Sequence, residues 1–373
     1  MKNYFLLLLV CCSLGQLVAQ PLAGSSNYEK LIEAAELAES QMNWSAALDK
    51  YKEAYEKDED AKELVPKIAR LNYDLRDYNS AQRSYKQVFR KLEPTDTTYN
   101  LHRFYYGRSL KIMGEYDDAI MVLQDFLRHA TDKDLKTLAE LEITGAEMAQ
   151  NTNMETSEVK VETAGRKING SFSEYSPALS KDGQVLYYST WDANAVIVPT
   201  DANDPKNFSR IFMSTQEEGK KGKKEWGKPE VLSEEVNRPG AHTANPAISA
   251  DGRRMYYNRI EFTGNVATKS ELYVSDEDDN GWKSGNSVTS LNGDYLILQP
   301  AMGELFGSEV IFFTSDMPGG TGGLDIYYAP YENGSFGDAV NLGPTINTIG
   351  DDMTPFYFDG TLYFSSTGYA TFG

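Results

Sequence analysis

Cysteine and histidine are scarce in this sequence. The 373 residues include two cysteines, Cys11 and Cys12, and three histidines, His102, His129 and His242. Many metal and catalytic sites depend on these residue types, and no HExxH, CxxC, Walker or Gly-x-Ser-x-Gly pattern occurs. We therefore predict no catalytic residues and no cofactor. We expect His102 and His129 to face solvent or to pack within the fold, and His242 to lie in a loop.

The chain also lacks a net positive charge and long apolar runs. The net charge is −19, and such an acidic surface repels nucleic acid and anionic lipid. Beyond the N-terminus, no apolar stretch reaches the roughly 20 residues of a membrane-spanning helix. A hydrophobic content of 40% and an aromatic content of 12% still suffice for packed cores. The length favours two domains.

The N-terminus, residues 1–20, has the pattern of a secretory signal peptide. One lysine, Lys2, precedes an apolar run from Phe5 to Cys12, and small and polar residues follow near Ala19. This pattern predicts that the mature chain is exported. An alternative is a lipoprotein signal with Cys12 as the lipidated first residue. In that case Cys11 occupies the position directly before the lipidated cysteine, where glycine or alanine is usual.

Residues 28–150 have a helical pattern that repeats three times. The segments NWSAALDKYKEAY, DYNSAQRSYKQVF and EYDDAIMVLQDFL place an aromatic residue three positions before an alanine, and a small residue stands twelve positions before that alanine. The repeat positions are Ala35, Trp44, Ala47, Tyr51, Ala54, Ala69, Tyr78, Ala81, Tyr85, Gly107, Tyr116 and Ala119.

These positions resemble the tetratricopeptide repeat family. The resemblance implies a solenoid of helix pairs, in which small residues let the two helices approach closely and aromatic residues fill the seam between pairs. Pro94 is predicted to stop the second pair, and a helix at about 133–150 to cap the stack. The first helix of each pair is expected to line a groove for an envelope protein.

After a polar linker at 151–158, strand patterns begin with VKVET and continue to residue 373. Four similar segments each start a strand with proline, turn, and continue into an aromatic strand. The repeat positions are Pro177, Asp182, Gly183, Pro246, Asp251, Gly252, Pro300, Pro355, Asp359 and Gly360. An asparagine precedes each proline by eight or nine residues. The third segment has GELFGSE in place of the Asp-Gly turn, which predicts a longer hairpin.

Four short strands per repeat are typical of a β-propeller. The Pro-Ala, Asp-Gly, Tyr-Tyr-Ser order resembles the WD40-like PD40 repeats of TolB-type propellers. The predicted fold is therefore an α-solenoid followed by an all-β propeller. The fourth repeat ends after two strands, so the propeller is predicted to be incomplete here, with about three and a half blades, and the protein to continue beyond it.

Two surface segments are candidate sites. Asp276, Asp278 and Asn280 alternate like the start of a calcium loop or an Asp-box, but no glutamate follows at the required spacing, which favours a solvated hairpin tip. A second candidate is a basic cluster of four lysines, Lys220, Lys221, Lys223 and Lys224. It could bind an acidic partner or lipid headgroups, and the alternative is a flexible, solvated loop. Glycine-rich MPGGTGGLD lacks the lysine of a phosphate cradle and is interpreted as a tight loop.

The order of signal peptide, helical repeats and propeller resembles multidomain OmpA-type envelope proteins. In that family, a peptidoglycan-binding OmpA-like domain follows the propeller, and one member type tethers the type IX secretion machine to the cell wall. The resemblance implies a non-enzymatic scaffold in the periplasm, associated with the outer membrane. It would reach peptidoglycan only through a domain absent from these residues. Alternatives are a TolB-like propeller without wall binding and a propeller-containing hydrolase. A sialidase needs three grouped arginines, and no pattern groups Arg166, Arg210, Arg238, Arg253, Arg254 or Arg259.

Overall fold

The computed structural model describes residues 27–90, 97–152, 161–191, 208–219 and 222–372. The signal peptide with Cys11 and Cys12, Pro94, most of the linker, Lys220 and Lys221 lie outside these residues. Helices come first and antiparallel sheets follow, as the sequence predicted.

Seven helices occupy the first part of the described chain. They are α1 (Asn27–Ser40), α2 (Trp44–Lys57), α3 (Leu64–Asp74), α4 (Tyr78–Phe89), α5 (Asn100–Ile112), α6 (Tyr116–His129) and α7 (Lys133–Asn151). The side chains of Asn43, Asp77 and Asp132 accept hydrogen bonds from backbone N–H groups in the first turns of α2, α4 and α7, which is why these helices begin where they do. The predicted capping helix at 133–150 agrees with α7.

Small residues bring the helices of each pair together. Ala35, Ala47, Ala54, Ala69, Ala81 and Ala119 are fully buried, as are Tyr51 and Tyr85. At Gly107 in α5, a Cβ atom would lie 2.5 Å from Cγ of Leu123 in α6, so no larger residue fits without displacing that leucine. The repeat aromatics Trp44, Tyr78 and Tyr116 are only half-buried.

Seventeen strands form four sheets in the described residues. The first three sheets each have five strands, and the fourth has two. Sheet 1 contains β1 (Ser173–Leu179), β2 (Val185–Trp191), β3 (Arg210–Glu218), β4 (Lys224–Trp226) and β5 (Glu230–Val231). Sheet 2 contains β6 (His242–Ile248), β7 (Arg254–Thr263), β8 (Val266–Asp278), β9 (Gly281–Trp282) and β10 (Asn286–Ser287). Sheet 3 contains β11 (Ile297–Leu305), β12 (Ser308–Ser315), β13 (Asp325–Glu332), β14 (Ser335–Phe336) and β15 (Val340–Asn341). Sheet 4 contains β16 (Asp352–Phe358) and β17 (Thr361–Ser366).

The sheets stack in chain order. The first strands contact one another in succession, β1 with β6, β6 with β11 and β11 with β16. Buried apolar residues fill the spaces between neighbouring sheets. The predicted fourth strand of each repeat is two short segments, such as β4 and β5, which both pair with β3. The prediction of a strand at VKVET was wrong for its described part, because residues 161–172 form no strand and Val161 is 90% exposed.

The prediction that the repeated prolines start their strands was wrong. Pro177, Pro246, Pro300 and Pro355 lie within β1, β6, β11 and β16, each at a bulge where the pairing register shifts. The residue before each proline, Ser176, Asn245, Gln299 or Thr354, has a φ of 50° to 58°. Because proline has no N–H to contribute to the ladder, a bulge is the position inside a strand that tolerates it.

The hairpin turns differ among the repeats. Asp359-Gly360 is a two-residue turn with φ of 47° and 79°, whereas Asp182-Gly183 and Asp251-Gly252 lie in longer connections where only the glycine has positive φ. The third hairpin was predicted to be longer. Its strands form five residue pairs beyond the bulge, against two in the first and second hairpins, but its turn is only Phe306-Gly307, with φ of 54° and 79°.

A repeated asparagine connects each sheet to the next. Asn237 accepts a hydrogen bond from Ile211 N–H (2.8 Å) and donates one to Ile211 C=O (2.9 Å). Asn292 makes the same pair with Leu272, and Asn347 with Ile326. Each asparagine precedes a sheet and binds the third strand of the preceding one. We call this pair of bonds the asparagine brace. Asn169, which precedes sheet 1, has the same backbone turn but an exposed side chain.

The brace gives a prediction with an internal control. Asn237→Ala leaves the buried N–H of Ile211 without a partner and leaves its C=O with only the hydrogen bond from Leu232 N–H (3.1 Å), so we expect it to lower the free energy of unfolding of the β part by about 2 kcal/mol. Asn169→Ala removes the equivalent side chain before sheet 1, where no preceding sheet offers a third strand to bind. It should change the free energy of unfolding by less than about 0.5 kcal/mol. Urea unfolding measures both when it is followed by tryptophan fluorescence in a Trp44→Phe background, which leaves the three tryptophans of the β part. Equal effects of the two variants would show that the brace is not stabilising.

Candidate binding surface

Helices α3, α5 and α7 present a row of cations and aromatic rings. Helix α3 contacts α5, and α5 contacts α7, so side chains of these helices meet across the stack. Residues three apart lie on one face of a helix, which places Lys67, Arg70 and Tyr73 together on α3 and Tyr105 and Arg108 together on α5. We call these five residues, with Glu142 of α7, the helical groove site.

Arg70 and two tyrosines form the centre of this site. The guanidinium carbon of Arg70 lies 3.7 Å from the ring centroid of Tyr105, a cation–π distance, and the rings of Tyr73 and Tyr105 are 5.0 Å apart. Asp74 approaches Arg70 Nε at 2.8 Å and fixes the direction of the guanidinium. Arg70 keeps 37% of its side chain exposed, so it remains accessible to a partner.

Two cations share one carboxylate at the far end of the site. Arg108 Nε lies 2.8 Å from one oxygen of Glu142, and Lys111 Nζ lies 2.6 Å from the other. Lys111 is 2% exposed and Glu142 12% exposed. These three groups therefore carry one excess positive charge, which favours the approach of an anionic group.

Burial sets the protonation of the neighbouring rings. It raises the pKa of Tyr73 to about 12, against an opposing effect of Arg108, so the hydroxyl is neutral at ordinary pH and can donate a hydrogen bond. Burial, with a smaller contribution from Arg70, lowers the pKa of His102. His102 packs between Tyr85 and Tyr99, at ring distances of 5.9 and 5.8 Å, so packing rather than solvent exposure describes it. The site can hold a peptide segment by charge, stacking and hydrogen bonds.

The acidic segment predicted as a weak metal candidate lies at a hairpin tip. Asp276 and Asp278 are at the end of β8, and Asn280 is in the turn before β9. All three are exposed. Asp278 accepts a hydrogen bond from Asn280 N–H (2.8 Å) and lies 3.5 Å from Lys283 Nζ. Within the described ranges, no group of three or more His, Cys, Asp or Glu is arranged to hold a metal ion.

The other sequence candidates are spread over the β part. Lys223 and Lys224 are exposed, and Lys224 begins β4 opposite Glu218. In the glycine-rich loop at 317–325, the N–H groups of Thr321 and Gly322 donate to Asp325 of the same loop, which therefore occupies the donors that a phosphate would need. Arg254 pairs with Glu309 (2.9 Å), and Arg259 lies over the ring of Tyr273.

The prediction that His242 lies in a loop was wrong. His242 is the first residue of β6, and its ring packs against Trp191, Phe208 and Phe262 at centroid distances of 4.8 to 5.3 Å. Its Nδ1 accepts a hydrogen bond from Ser209 N–H (3.1 Å). Burial lowers the pKa of His242 to about 4, so the ring is neutral at ordinary pH.

No helix of the described residues is long and apolar enough to cross a membrane. The sequence predicted only that the first helix of each pair lines a groove. It did not identify the cations and aromatic rings on α3, α5 and α7. The three-residue spacing of Lys67, Arg70 and Tyr73 is the signal that would have identified its residues.

No protein-family model and no curated protein matches the chain. Among solved structures, it is similar to a mutant of puromycin hydrolase complexed with PGG, at 13% identity and a TM-score of 0.31 over 51% of this chain and 24% of that one. It is also similar to Trypanosoma rangeli sialidase in complex with the inhibitor DANA, at 14% identity and a TM-score of 0.29 over 53% of this chain and 34% of that one. A third similar structure is inulosucrase from Halalkalicoccus jeotgali bound to kestose, at 16% identity and a TM-score of 0.29 over 52% of this chain and 58% of that one. The chain therefore spans less than two thirds of each, and likeness at this level does not bear on activity or substrate.

Proposed function

We propose that this chain is a non-enzymatic binding and scaffolding protein of the bacterial envelope. Its helical part acts as a tetratricopeptide solenoid and its sheets as blades of a PD40-type propeller. The observation that carries this proposal is the helical groove site, a partly exposed row of cations and aromatic rings across successive helices. Repeats that stack in one direction offer an extended surface of this kind to a partner segment.

The packing of the helices supports the solenoid assignment. Residues equivalent by the repeat, such as Ala47, Ala81 and Ala119, are all fully buried between helices. Gly107 lies against Leu123 with no room for a side chain. Buried repeat positions of this kind keep successive pairs in one orientation, and the groove residues of α3, α5 and α7 consequently line up.

The chemistry of the groove indicates its ligand. The guanidinium of Arg70 lies over the ring of Tyr105, and the two positive charges of Arg108 and Lys111 exceed the single negative charge of Glu142. We infer that the ligand is an extended peptide segment with a carboxylate and an apolar or aromatic side chain, supplied by an envelope protein. The carboxylate would meet Arg70 and Arg108, and the ring would stack beside Tyr73.

The stacked sheets support the propeller assignment. Their first strands lie side by side, and each sheet binds its neighbour through the asparagine brace. By the order of its parts, we place the protein in the periplasm as part of an OmpA-type tether between a secretion machine and peptidoglycan. The wall contact would be made by a domain outside this chain, and a lipid at Cys12 would be an additional anchor.

Site-specific photo-crosslinking tests the groove. A benzophenone amino acid in place of Tyr105 is expected to crosslink one envelope protein in intact cells. The same probe in place of Gln87 of α4, which bonds Tyr55 of α2 on the even-numbered helices, should not. The Tyr105 product should also disappear when Arg70→Glu is added. Equal crosslinking at both positions, or a product insensitive to Arg70→Glu, would refute the groove assignment.

The tether is tested separately on the native protein. Its intact mass should exceed the 41.7 kDa of this chain, and it should sediment with purified peptidoglycan. A protein that crosslinks through the groove but does not sediment would be a TolB-like binding protein without wall attachment. A residual lipid mass would identify Cys12 as the anchor.

A further inference from the structure

Tyr51 and Tyr85 occupy the same position of the helical repeat but differ in the partners of their hydroxyl groups. Each lies four residues after the repeated alanine, and both side chains are fully buried. The Tyr51 hydroxyl donates to the carboxylate of Glu39 and accepts a hydrogen bond from Lys67 Nζ (3.1 Å). The Tyr85 hydroxyl has no hydrogen-bond partner among the described residues. In the third pair the same position holds the buried Leu123, so packing here does not require a hydroxyl.

The repeat places the Tyr85 hydroxyl at the floor of the helical groove site. Tyr73 occupies the position of Glu39, four residues after the small residue of its helix. Tyr105 occupies the position of Lys67, two residues before the small residue. The rings of Tyr73 and Tyr105 pack against the buried cluster that contains Tyr85. The Tyr85 side chain therefore lies where the facing sides of α3 and α5 meet.

One component of the arrangement around Tyr51 has no counterpart around Tyr85. The first arrangement combines a hydroxyl, a cation and a carboxylate. The second combines a hydroxyl with the cation of Arg70, which lies over the ring of Tyr105, but the nearby carboxylate of Asp74 is bonded to Arg70 Nε and not to Tyr85. Burial raises the pKa of the Tyr85 hydroxyl, against an opposing effect of Arg70, so the group is neutral and can donate. A buried hydroxyl without an acceptor costs free energy, and an acceptor from a ligand would remove that cost.

We propose that the ligand supplies the missing carboxylate from a glutamate or aspartate side chain, and that the Tyr85 hydroxyl is the donor that selects it. This inference rests on the proposed function, because it adds one ligand contact to the helical groove site. One carboxylate oxygen would accept a hydrogen bond from Arg70 and the other from Tyr85. The hydroxyl is covered in the free chain, so the side chain of Arg70, which is 37% exposed, would move with the entering carboxylate. Because the internal counterpart is the side chain of Glu39, an acidic side chain is favoured over a chain terminus.

Thermal unfolding of the free chain distinguishes a ligand contact from a structural one. Tyr85→Phe removes a hydroxyl that bonds nothing in the free chain, so the melting temperature of the helical part should stay unchanged or rise. Tyr51→Phe is the matched control, since it breaks two hydrogen bonds and should lower the melting temperature by several degrees. An equal fall for both variants would mean that the Tyr85 hydroxyl is bonded within the chain or to a buried water, and would overturn the proposal.

Calorimetric titration with blocked peptides tests the contact itself. The probe is acetyl-Phe-Ala-Glu-Ala-amide, which carries one aromatic ring and one carboxylate. One control peptide has glutamine in place of glutamate, and a second has alanine there and a free C-terminal carboxylate. The probe should bind the unchanged chain saturably and bind the Tyr85→Phe variant roughly tenfold more weakly, because a hydrogen bond to a charged group is lost. The Tyr51→Phe variant should bind the probe as the unchanged chain does.

The remaining outcomes contradict the proposal in different ways. Equal binding of the probe by the Tyr85→Phe variant and the unchanged chain would remove the hydroxyl from the ligand contacts. Equal binding of the glutamate and glutamine peptides would show that no carboxylate is selected, and binding of only the peptide with a free C-terminus would identify a chain terminus instead. Absence of binding by all three peptides would also overturn the proposal. The helical groove site itself is decided separately, by the crosslink at Tyr105.

Discussion

Glu142→Gln is expected to lower the free energy of unfolding of the helical part by about 3–5 kcal/mol, the usual cost of removing one partner from a buried ion pair. Lys111 is 2% exposed and has its ammonium 2.6 Å from this carboxylate. Without the negative charge, the ammonium remains buried beside Arg108 with no carboxylate to neutralise it. The amide of glutamine can accept a hydrogen bond, but it cannot neutralise either cation.

Asp74→Asn is the matched control on the same face. It breaks the pair between Asp74 and Arg70, but Arg70 is 37% exposed and water replaces the lost carboxylate. The expected loss is below about 1 kcal/mol. Denaturant unfolding followed by the helical circular dichroism signal compares the two. Similar losses for both variants would show that burial of Lys111 contributes little.

Gly107→Leu is expected to destabilise the helical part by about 3 kcal/mol or more through overpacking. A Cβ atom alone at this position would lie 2.5 Å from Leu123 Cγ, and the rest of a leucine side chain would have to enter α6. The two helices would separate, and the seam around the fully buried Leu123 and Ala119 would open. Ala81→Leu should act in the same way in the preceding pair.

Two controls make this result specific. Glu140→Leu adds the same side chain at an exposed position of α7 and should change stability by less than about 0.5 kcal/mol. Combining Gly107→Ala with Leu123→Ala should cost less than the sum of the two single changes, because the second removes the atoms that the first displaces. In a Trp44→Phe background, tryptophan fluorescence follows the sheets, which contain Trp191, Trp226 and Trp282. A shift of their transition with Gly107→Leu would mean that the two parts unfold together.

The helical part could be predicted closely because its signals are local. A helix places residues three and four apart on one face, which made the repeat visible. The resemblance to a helical repeat then implied close packing at Ala47, Ala81 and Ala119, which are fully buried. Residues 133–150 were predicted as a helix, and α7 begins and ends within one residue of that range. The groove residues were harder to name because Arg70 and Tyr105 meet only when α3 packs on α5.

In the β part, the repeat was visible but its geometry was not. Pro177 was expected to start a strand because proline breaks a ladder. The bulge that accommodates it depends on pairing with β2, which one strand's sequence does not encode. His242 was assigned to a loop because its own segment does not show which residues enclose it. The aromatic rings that enclose it come from three separate segments, around Trp191, Phe208 and Phe262.

The asparagine brace has a consequence for the order in which the chain folds. Each brace joins residues only 20 to 26 positions apart, and its asparagine always comes after the strand that it binds. A chain that emerges from its N-terminus can therefore complete the third strand of one sheet only when the segment leading into the next sheet has arrived. We therefore expect the sheets to assemble in chain order, one sheet at a time. A pause in chain delivery would then leave only the most recent sheet with its third strand unbraced.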